Sequence, residues 1–338
     1  MNPSQRIAAF SKLGEDIQNL SQDELAELAW RAGNNNSWFT EESVAAALHS
    51  IGAMLSAEKL TRWVSPYALS QGGEPKSIGI LLAGNIPAVG FHDLMCVLIA
   101  GHQAVVKLSS TDEVLMKFLI NRLIAIEGGF APLIRMQDML KGMDAYIATG
   151  SDNSSRYFNY YFGKYPHIIR QNRSSVAVLT GAETAEDFVN LGKDIFRYFG
   201  LGCRNVSKIY VKSKDQLQSL LDALEIYSAV GNHHKYHNNY DYNKSIYLVN
   251  MEDHLDNGFL LMKESSELVS PIAVLYYQLY DSTEGLEQLL STNSAKIQCV
   301  VGGAGIVKDY VPFGQAQEPE LWEYADGIDT LQFLIDLK

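Results

Sequence analysis

The sequence predicts two doubly wound α/β domains behind a helical lead-in. Three observations carry this: helical periodicity over residues 4 to 62, short apolar runs alternating with amphipathic stretches from Ser77 onward, and a nearly half-apolar composition. In the lead-in, Leu20-Ser21-Gln22-Asp23-Glu24-Leu25 places a serine N-cap before acidic first-turn residues, followed by apolar Leu25, Leu28 and Ala29. From Ser77 the runs Ile78–Ala83 and Ala104–Leu108 read as buried strands, with helices expected over Val89–Ile99 and Glu113–Ile126. Continuous apolar strands separated by helices imply parallel crossovers. A further unit has the strand Asp144–Ala148, the turn Thr149-Gly150-Ser151 and an aromatic helix Tyr157–Phe162.

Beyond Val176–Leu179 the alternation repeats. Helices are expected over Glu186–Phe199 and Gln216–Ile226, and strands over Ser207–Val211, Ser245–Val249 and Ile272–Tyr277. The segment Gly231–Asn243, rich in Asn, His and Tyr, reads as a loop, and Gly302-Gly303-Ala304-Gly305 as another break. The expected division is residues 1–178 for the lead-in and first α/β domain, and 179–338 for the second domain with a C-terminal tail.

A net charge of -12 without a dense Lys/Arg tract argues against nucleic acid or an anionic membrane as partner, since both require clustered positive charge. Small molecules or proteins are the expected partners, and a homo-oligomer is left open. The N-terminal stretch lacks a signal-type apolar core and no apolar run is long enough to span a bilayer, so the cytoplasm is the expected location. Cys96, Cys203 and Cys299 lie far apart, a spacing that suggests neither a disulfide framework nor a cysteine zinc site.

Chemistry concentrates at the ends of the expected strands. In Phe199-Gly200-Leu201-Gly202-Cys203-Arg204-Asn205-Val206 a thiol follows two glycines and precedes an arginine. Small neighbours admit a substrate and an adjacent cation favours the thiolate, so Cys203 reads as a nucleophile; a small buried hydrophobe is the competing reading. Gly84-Asn85-Ile86-Pro87 ends the first strand where an open parallel sheet binds ligands, and the Asn85 amide could serve an oxyanion or simply a turn. Lys107 ends the second strand within reach of a ribose or phosphate, or merely solvated. Thr149-Gly150-Ser151 offers backbone donors at a helix start, although Ser151 would serve equally as an N-cap. The Rossmann glycine fingerprint is absent after the first strand.

Taken in order, these segments resemble the aldehyde dehydrogenase superfamily, and within it the acyl-CoA reductases of the bacterial-luminescence fatty-acid reductase type. Ala83–Pro87 resembles the family's Asn-bearing strand end, which implies an oxyanion role for Asn85. Ala100–Ser109 is similar to the Ala-Gly-Asn-x-Val-Val-x-Lys-Pro-Ser stretch and implies that Lys107 and Ser109 face the cofactor. Ala148-Thr149-Gly150-Ser151 resembles the Phe-Thr-Gly-Ser pyrophosphate turn, and Gly200–Cys203 the Gly-Gln-x-Cys nucleophile. Glu267–Pro271 is similar to Glu-Ile-Phe-Gly-Pro, which implies a nicotinamide-ribose role for Glu267. The implied activity is reduction of an acyl-CoA or acyl-carrier thioester to an aldehyde through acyl-Cys203.

Two departures refine that expectation. Ordinary aldehyde dehydrogenases carry a glutamate base about thirty residues before the cysteine, whereas Ile168–Ser174 here holds no carboxylate. Without a base to activate water, thioester exchange is favoured over hydrolysis. Ser110 replaces the carboxylate that grips the adenosine ribose, leaving room for a 2′-phosphate, so NADPH is expected with NADH as the alternative. The rival readings are an aldehyde-oxidising dehydrogenase of the same fold, a non-catalytic scaffold, and a metal site built on His233 and His237 with Asp241 or Asp253; no metal is expected. The aromatic run of Tyr157, Phe158, Tyr160, Tyr161 and Phe162 fits either an acyl groove or a core-facing helix.

Overall fold

A computed structural model describes the chain except residues 70–73, 151, 304, 306–308 and 338. Its two compact units are Met1–Asn172 with Glu320–Lys338, and Arg173–Pro319. The second unit therefore starts ahead of the expected boundary at 178, and the expected C-terminal tail of the second domain belongs to the first unit.

Unit 1 opens with four helices, α1 (Pro3–Gln18), α2 (Gln22–Asn35), α3 (Glu41–Met54) and α4 (Ala57–Val64). Each starts at a polar side chain, Asn2, Ser21, Thr40 or Ser56, that accepts a hydrogen bond from the third backbone N–H of its helix. The chain then runs β1 (Ser77–Leu81), α5 (Phe91–Ala100), β2 (Gln103–Lys107), α6 (Glu113–Ile126), β3 (Ile134–Met136), β4 (Ala145–Thr149), α7 (Asp152–Phe162) and β5 (His167–Arg170). The five strands form one parallel sheet ordered β3-β2-β1-β4-β5. β1 lies where the order reverses, with Leu81 opposite Lys107 on one side and Ala148 on the other.

Unit 2 contains β6 (Ser174–Val178), α8 (Ala185–Phe196), β7 (Val206–Val211), α9 (Asp215–Leu224), α10 (His234–Val249), β8 (Leu255–Asp256), β9 (Leu261–Glu264), β10 (Val274–Leu279), α11 (Thr283–Thr292), β11 (Ile297–Val301) and β12 (Tyr310–Val311). Its sheet is ordered β12-β11-β6-β7-β10-β9-β8 and is parallel apart from the β8–β9 pair. The last helix, α12 (Thr330–Ile335), belongs to unit 1, where the His102 ring contacts the Leu334 carbonyl at 2.8 Å.

Two expectations fail together between Gly231 and Val249. The expected loop and the expected strand Ser245–Val249 are replaced by a 3₁₀ segment, Glu225–Asn232, and the single helix α10. Burial falls on Tyr236, Tyr240, Asn243 and Tyr247, a helical stripe, while Leu248 and Val249 face solvent. The Asn243 amide donates to the Ile272 carbonyl at 3.0 Å and Tyr240 to Asp256 at 2.6 Å, so tertiary contacts override a weak helix-forming composition. None of the helices among the described residues is long and apolar enough to cross a membrane.

Candidate functional site

In unit 1 the sheet's carboxyl edge assembles the residues singled out by sequence. Because β1, β2 and β4 are adjacent and parallel, the segments bearing Asn85, Lys107 with Ser109, and Gly150 leave the same edge. Lys107 is the last residue of β2 and is exposed, as is Asn85. Ser109 Oγ lies 2.8 Å from Thr111 Oγ1, which donates to the Gly84 carbonyl at 2.8 Å. A Cβ on Gly84 would sit 2.5 Å from Ser109 Oγ and 2.6 Å from Thr111 Oγ1, so the two loops meet only because position 84 is glycine. Gly150 N–H donates to the Arg170 carbonyl at 3.4 Å; Ser151 lies outside the described residues.

The stretch without a carboxylate has structural work. The Arg170 guanidinium is buried against Asp93 at 2.5 Å and donates to Thr330 Oγ1 at 2.7 Å. Arg173 donates to the Ile297 carbonyl at 3.2 Å.

In unit 2, Cys203 occupies the turn between a 3₁₀ segment, Arg197–Gly200, and β7. It is exposed, whereas burial pushes the Cys96 thiol well above its ordinary range and raises that of Cys299. Tyr198 and Phe199 adopt left-handed backbone at φ 54° and 57°, and Gly200 follows at 78°. That sequence of left-handed residues reverses the chain out of α8. Asn205 then holds the turn: its buried amide donates to the Asp194, Ile195 and Arg197 carbonyls at 2.9, 3.3 and 2.7 Å, and its carbonyl oxygen accepts from Gly202 N–H at 2.8 Å. The Cys203 carbonyl accepts from Ser175 Oγ at 3.1 Å, and that hydroxyl also lies 3.0 Å from Cys299 Sγ. Both strand ladders around Ser175 shift register there.

Glu267 is exposed in the β9–β10 connection, its N–H donating to Ser265 Oγ at 3.1 Å. The neighbouring Ser266 carbonyl accepts from Lys208 Nζ at 3.0 Å, and Gln278 Oε1 accepts from the same ammonium at 2.7 Å. Burial pulls Lys208 down to about 8, opposed by the charge of Glu267. Asn205, Ser175 and Lys208 escaped the sequence reading. An asparagine two residues after the cysteine of a glycine turn, and a lysine inside the apolar run Val206–Val211, are the signals that could have found the first and last.

The rival cluster is differently employed. His233 caps α10 and packs against Phe199 in a tilted arrangement with centroids 4.4 Å apart, and His237 contacts Asp241 at 3.3 Å. Among the described residues no three His, Cys, Asp or Glu side chains gather as metal ligands do. On α7, Tyr157, Tyr160 and Tyr161 are exposed, while Phe162 stacks on Tyr146 at 4.2 Å.

Comparison with solved structures identifies the architecture. Aldehyde dehydrogenase 21 of Physcomitrella patens, in complex with the product succinate, superposes with a TM-score of 0.69 at 12% identity, over 99% of this chain and 84% of that one. The NADP-dependent glyceraldehyde-3-phosphate dehydrogenase of Bacillus halodurans complexed with NADP gives 0.65 at 10% identity, over 90% and 74%. A mutant aldehyde dehydrogenase C of Pseudomonas syringae, complexed with NAD+ and octanal, gives 0.63 at 11%, over 89% and 72%. The fold is that of the aldehyde dehydrogenases. No curated protein matches the sequence at a significant level. The family model for acyl-CoA reductase (LuxC) matches residues 12–233, and the chain belongs to that family. It is accordingly an oxidoreductase of aldehyde-related chemistry, in the family that the sequence resemblance indicated.

Proposed function

We propose that this protein reduces an acyl thioester, carried on CoA or a carrier protein, to an aldehyde through an acyl-Cys203 intermediate, with NADPH as reductant. The observation that carries the reading is an exposed Cys203 on a glycine-flanked, Asn205-braced turn in a chain of the acyl-CoA reductase family. The Cys203 thiolate adds to the thioester carbonyl, forming a carbon–sulfur bond and an oxyanion. The Asn85 amide and the Cys203 N–H are assigned to that oxyanion. Its collapse expels the donor thiolate and leaves acyl-Cys203. In the second half-reaction the same donors hold the oxyanion formed at the acyl carbon, and Cys203 departs as thiolate when aldehyde is released.

A dinucleotide fits the unit 1 edge: three adjacent parallel strands end there at a reversal of strand order, and Gly84 leaves the loops closely apposed. Lys107, Ser109, Gly150, Ser151 and Glu267 are assigned to hold it. When bound it supplies hydride to the acyl carbon. The preference for NADPH rests on exposed Ser110, whose carbonyl accepts from the Asn35 amide at 2.8 Å and whose side chain brings no charge against a 2′-phosphate.

The test is the fate of acyl-Cys203 formed without NADPH. With no carboxylate in Ile168–Ser174, the adduct should persist in buffer, discharge rapidly to added CoA, and yield aldehyde with NADPH. Water activation is worth about a hundredfold or more, so intact-mass decay separates the cases. Rapid release of free acid would move the protein to the aldehyde-oxidising branch. Lys107→Ala and Glu267→Ala should raise the NADPH requirement while leaving acylation intact; equal loss of both half-reactions would assign those side chains to folding.

A further inference from the structure

Ala88 has φ 54°, in the left-handed region that residues with a Cβ rarely occupy, although it is buried and three residues beyond Asn85. Such a conformation persists only where neighbouring groups impose it. Its N–H donates to Asp112 Oδ2 at 2.8 Å. Asp112 is 2% exposed, and its other oxygen, Oδ1, is buried without a hydrogen-bond partner among the described residues. The residue stands at the N-cap of α6, yet makes no cap hydrogen bond. A serine or threonine would cap that helix without the cost of burying a carboxyl group, so helix capping does not account for an aspartate here. Among the described residues its side chain accepts from the turn instead, at Ala88 N–H. At the other end of the turn the adjacent Thr111 hydroxyl donates to the Gly84 carbonyl at 2.8 Å.

Asn85-Ile86-Pro87 is therefore tied down on both sides, at Gly84 and at Ala88, by consecutive residues of the loop that follows Lys107. We propose that Asp112 and Thr111 are positioning residues for Asn85, holding its turn in the conformation that presents the side-chain amide to the reacting carbonyl. The inference rests on the oxyanion role assigned to Asn85. It predicts that Asp112 and Thr111 act on acylation only through Asn85.

The experiment measures the rate of Cys203 acylation in the full chain by quenched intact mass. The donor is whichever short-, medium- or long-chain saturated acyl-CoA loads the wild type fastest. Asn85→Ala should slow loading about a hundredfold, the usual worth of an oxyanion donor. Asp112→Ala should slow it about ten- to a hundredfold with half-saturation by acyl-CoA little changed, as expected for misplacement of a catalytic group. The double variant should be no slower than Asn85→Ala alone. Asp112→Asn retains an oxygen for Ala88 N–H and should restore most of the rate. Additive effects in the double variant, a wild-type rate in Asp112→Ala, or an Asp112→Asn as slow as the alanine variant would each overturn the proposal. If Asp112→Ala does not fold, Thr111→Val carries the same comparison from the Gly84 end, with Thr111→Ser as the rescue. A wild type that never loads Cys203 would instead defeat the proposed function. Normal loading slowed by Asn85→Ala but indifferent to Asp112 and Thr111 would defeat only the positioning role.

Discussion

The turn bearing Asn85 in unit 1 and the turn bearing Cys203 in unit 2 both contain left-handed backbone at residues other than glycine, Ala88 in one, Tyr198 and Phe199 in the other. They are braced from different distances. Asn205 belongs to the Cys203 turn and bonds residues between 3 and 11 positions away. The Asn85 turn is held by Asp112 and Thr111, 24 and 27 positions along the chain. A local brace closes a short loop at small entropic cost and forms with the turn itself, whereas the distant brace forms only once β1 and β2 have paired. The Cys203 turn thus carries a local brace of its own, to which Ser175 adds a hydrogen bond from 28 positions away, whereas both ties of the Asn85 turn come from the neighbouring strand's loop.

The largest effect that could break this comparison is at the nucleophile. Cys203→Ala should abolish acyl-adduct formation by a reactive acyl-CoA, read by intact mass. An adduct that survives, or that maps to Cys96 or Cys299, would remove the reason for comparing the turns at all. Next comes Asn205→Ala, which strips Gly202 N–H and three backbone carbonyls of their partner in a buried site. A loss of roughly 2–4 kcal/mol in denaturant unfolding is expected, together with slower acylation. Unchanged stability would show that the Cys203 turn does not depend on its own asparagine.

A smaller effect sharpens the contrast at the third braced segment, where Lys208 holds the Ser266 carbonyl beside Glu267 from 58 positions away. An unfolded lysine keeps its proton to about 10.5, but burial lets the folded chain release it near 8. Between those values the unfolded state binds more protons, so folding stability rises with pH. Wild type should therefore gain on Lys208→Met from about pH 8 to 10, by at most about 1.4 kcal/mol per pH unit. A difference that stays flat with pH would mean that burial does not lower the Lys208 pKa and that the folded chain keeps this proton as the unfolded chain does. The smallest expected effect belongs to Ala88→Gly. Relief of left-handed strain is worth roughly 1 kcal/mol, and glycine's added freedom in the unfolded chain offsets about the same. Stability should shift by less than about 1 kcal/mol, with the hydrogen bond to Asp112 retained. A much larger loss would show that the buried methyl, and not the backbone bond, holds the turn.

Periodicity with the Ser21 cap was enough to mark residues 4–62 as helical, though not to divide them into four helices, and to place the strands and helices from β1 to α6, because each of those patterns is satisfied within its own segment. α10 was not legible. Its buried Tyr236, Tyr240, Asn243 and Tyr247 carry polar groups that no hydropathy pattern counts, and the apolar end Ile246–Val249 mimics a strand while Leu248 and Val249 face solvent. At the candidate site the same division holds: Cys203 and its glycines could be read from eight consecutive residues, as could Asn85, Lys107 and Gly150 at strand ends.

By itself, the sequence determined which segments are helix and strand over most of unit 1, which cysteine stands in a glycine turn, and which family the ordered motifs match, since all of these are encoded in neighbouring residues. Only the tertiary structure decided that Asp112 and Thr111 grip the Asn85 turn, that Lys208 lies buried beneath the Glu267 loop, and that residues 320–338 belong with the first unit. The physical reason is separation along the chain. A hydrogen bond between side chain and backbone across 24 residues or more leaves no periodic trace, and becomes favourable only after the parallel sheets have brought its partners together and excluded water.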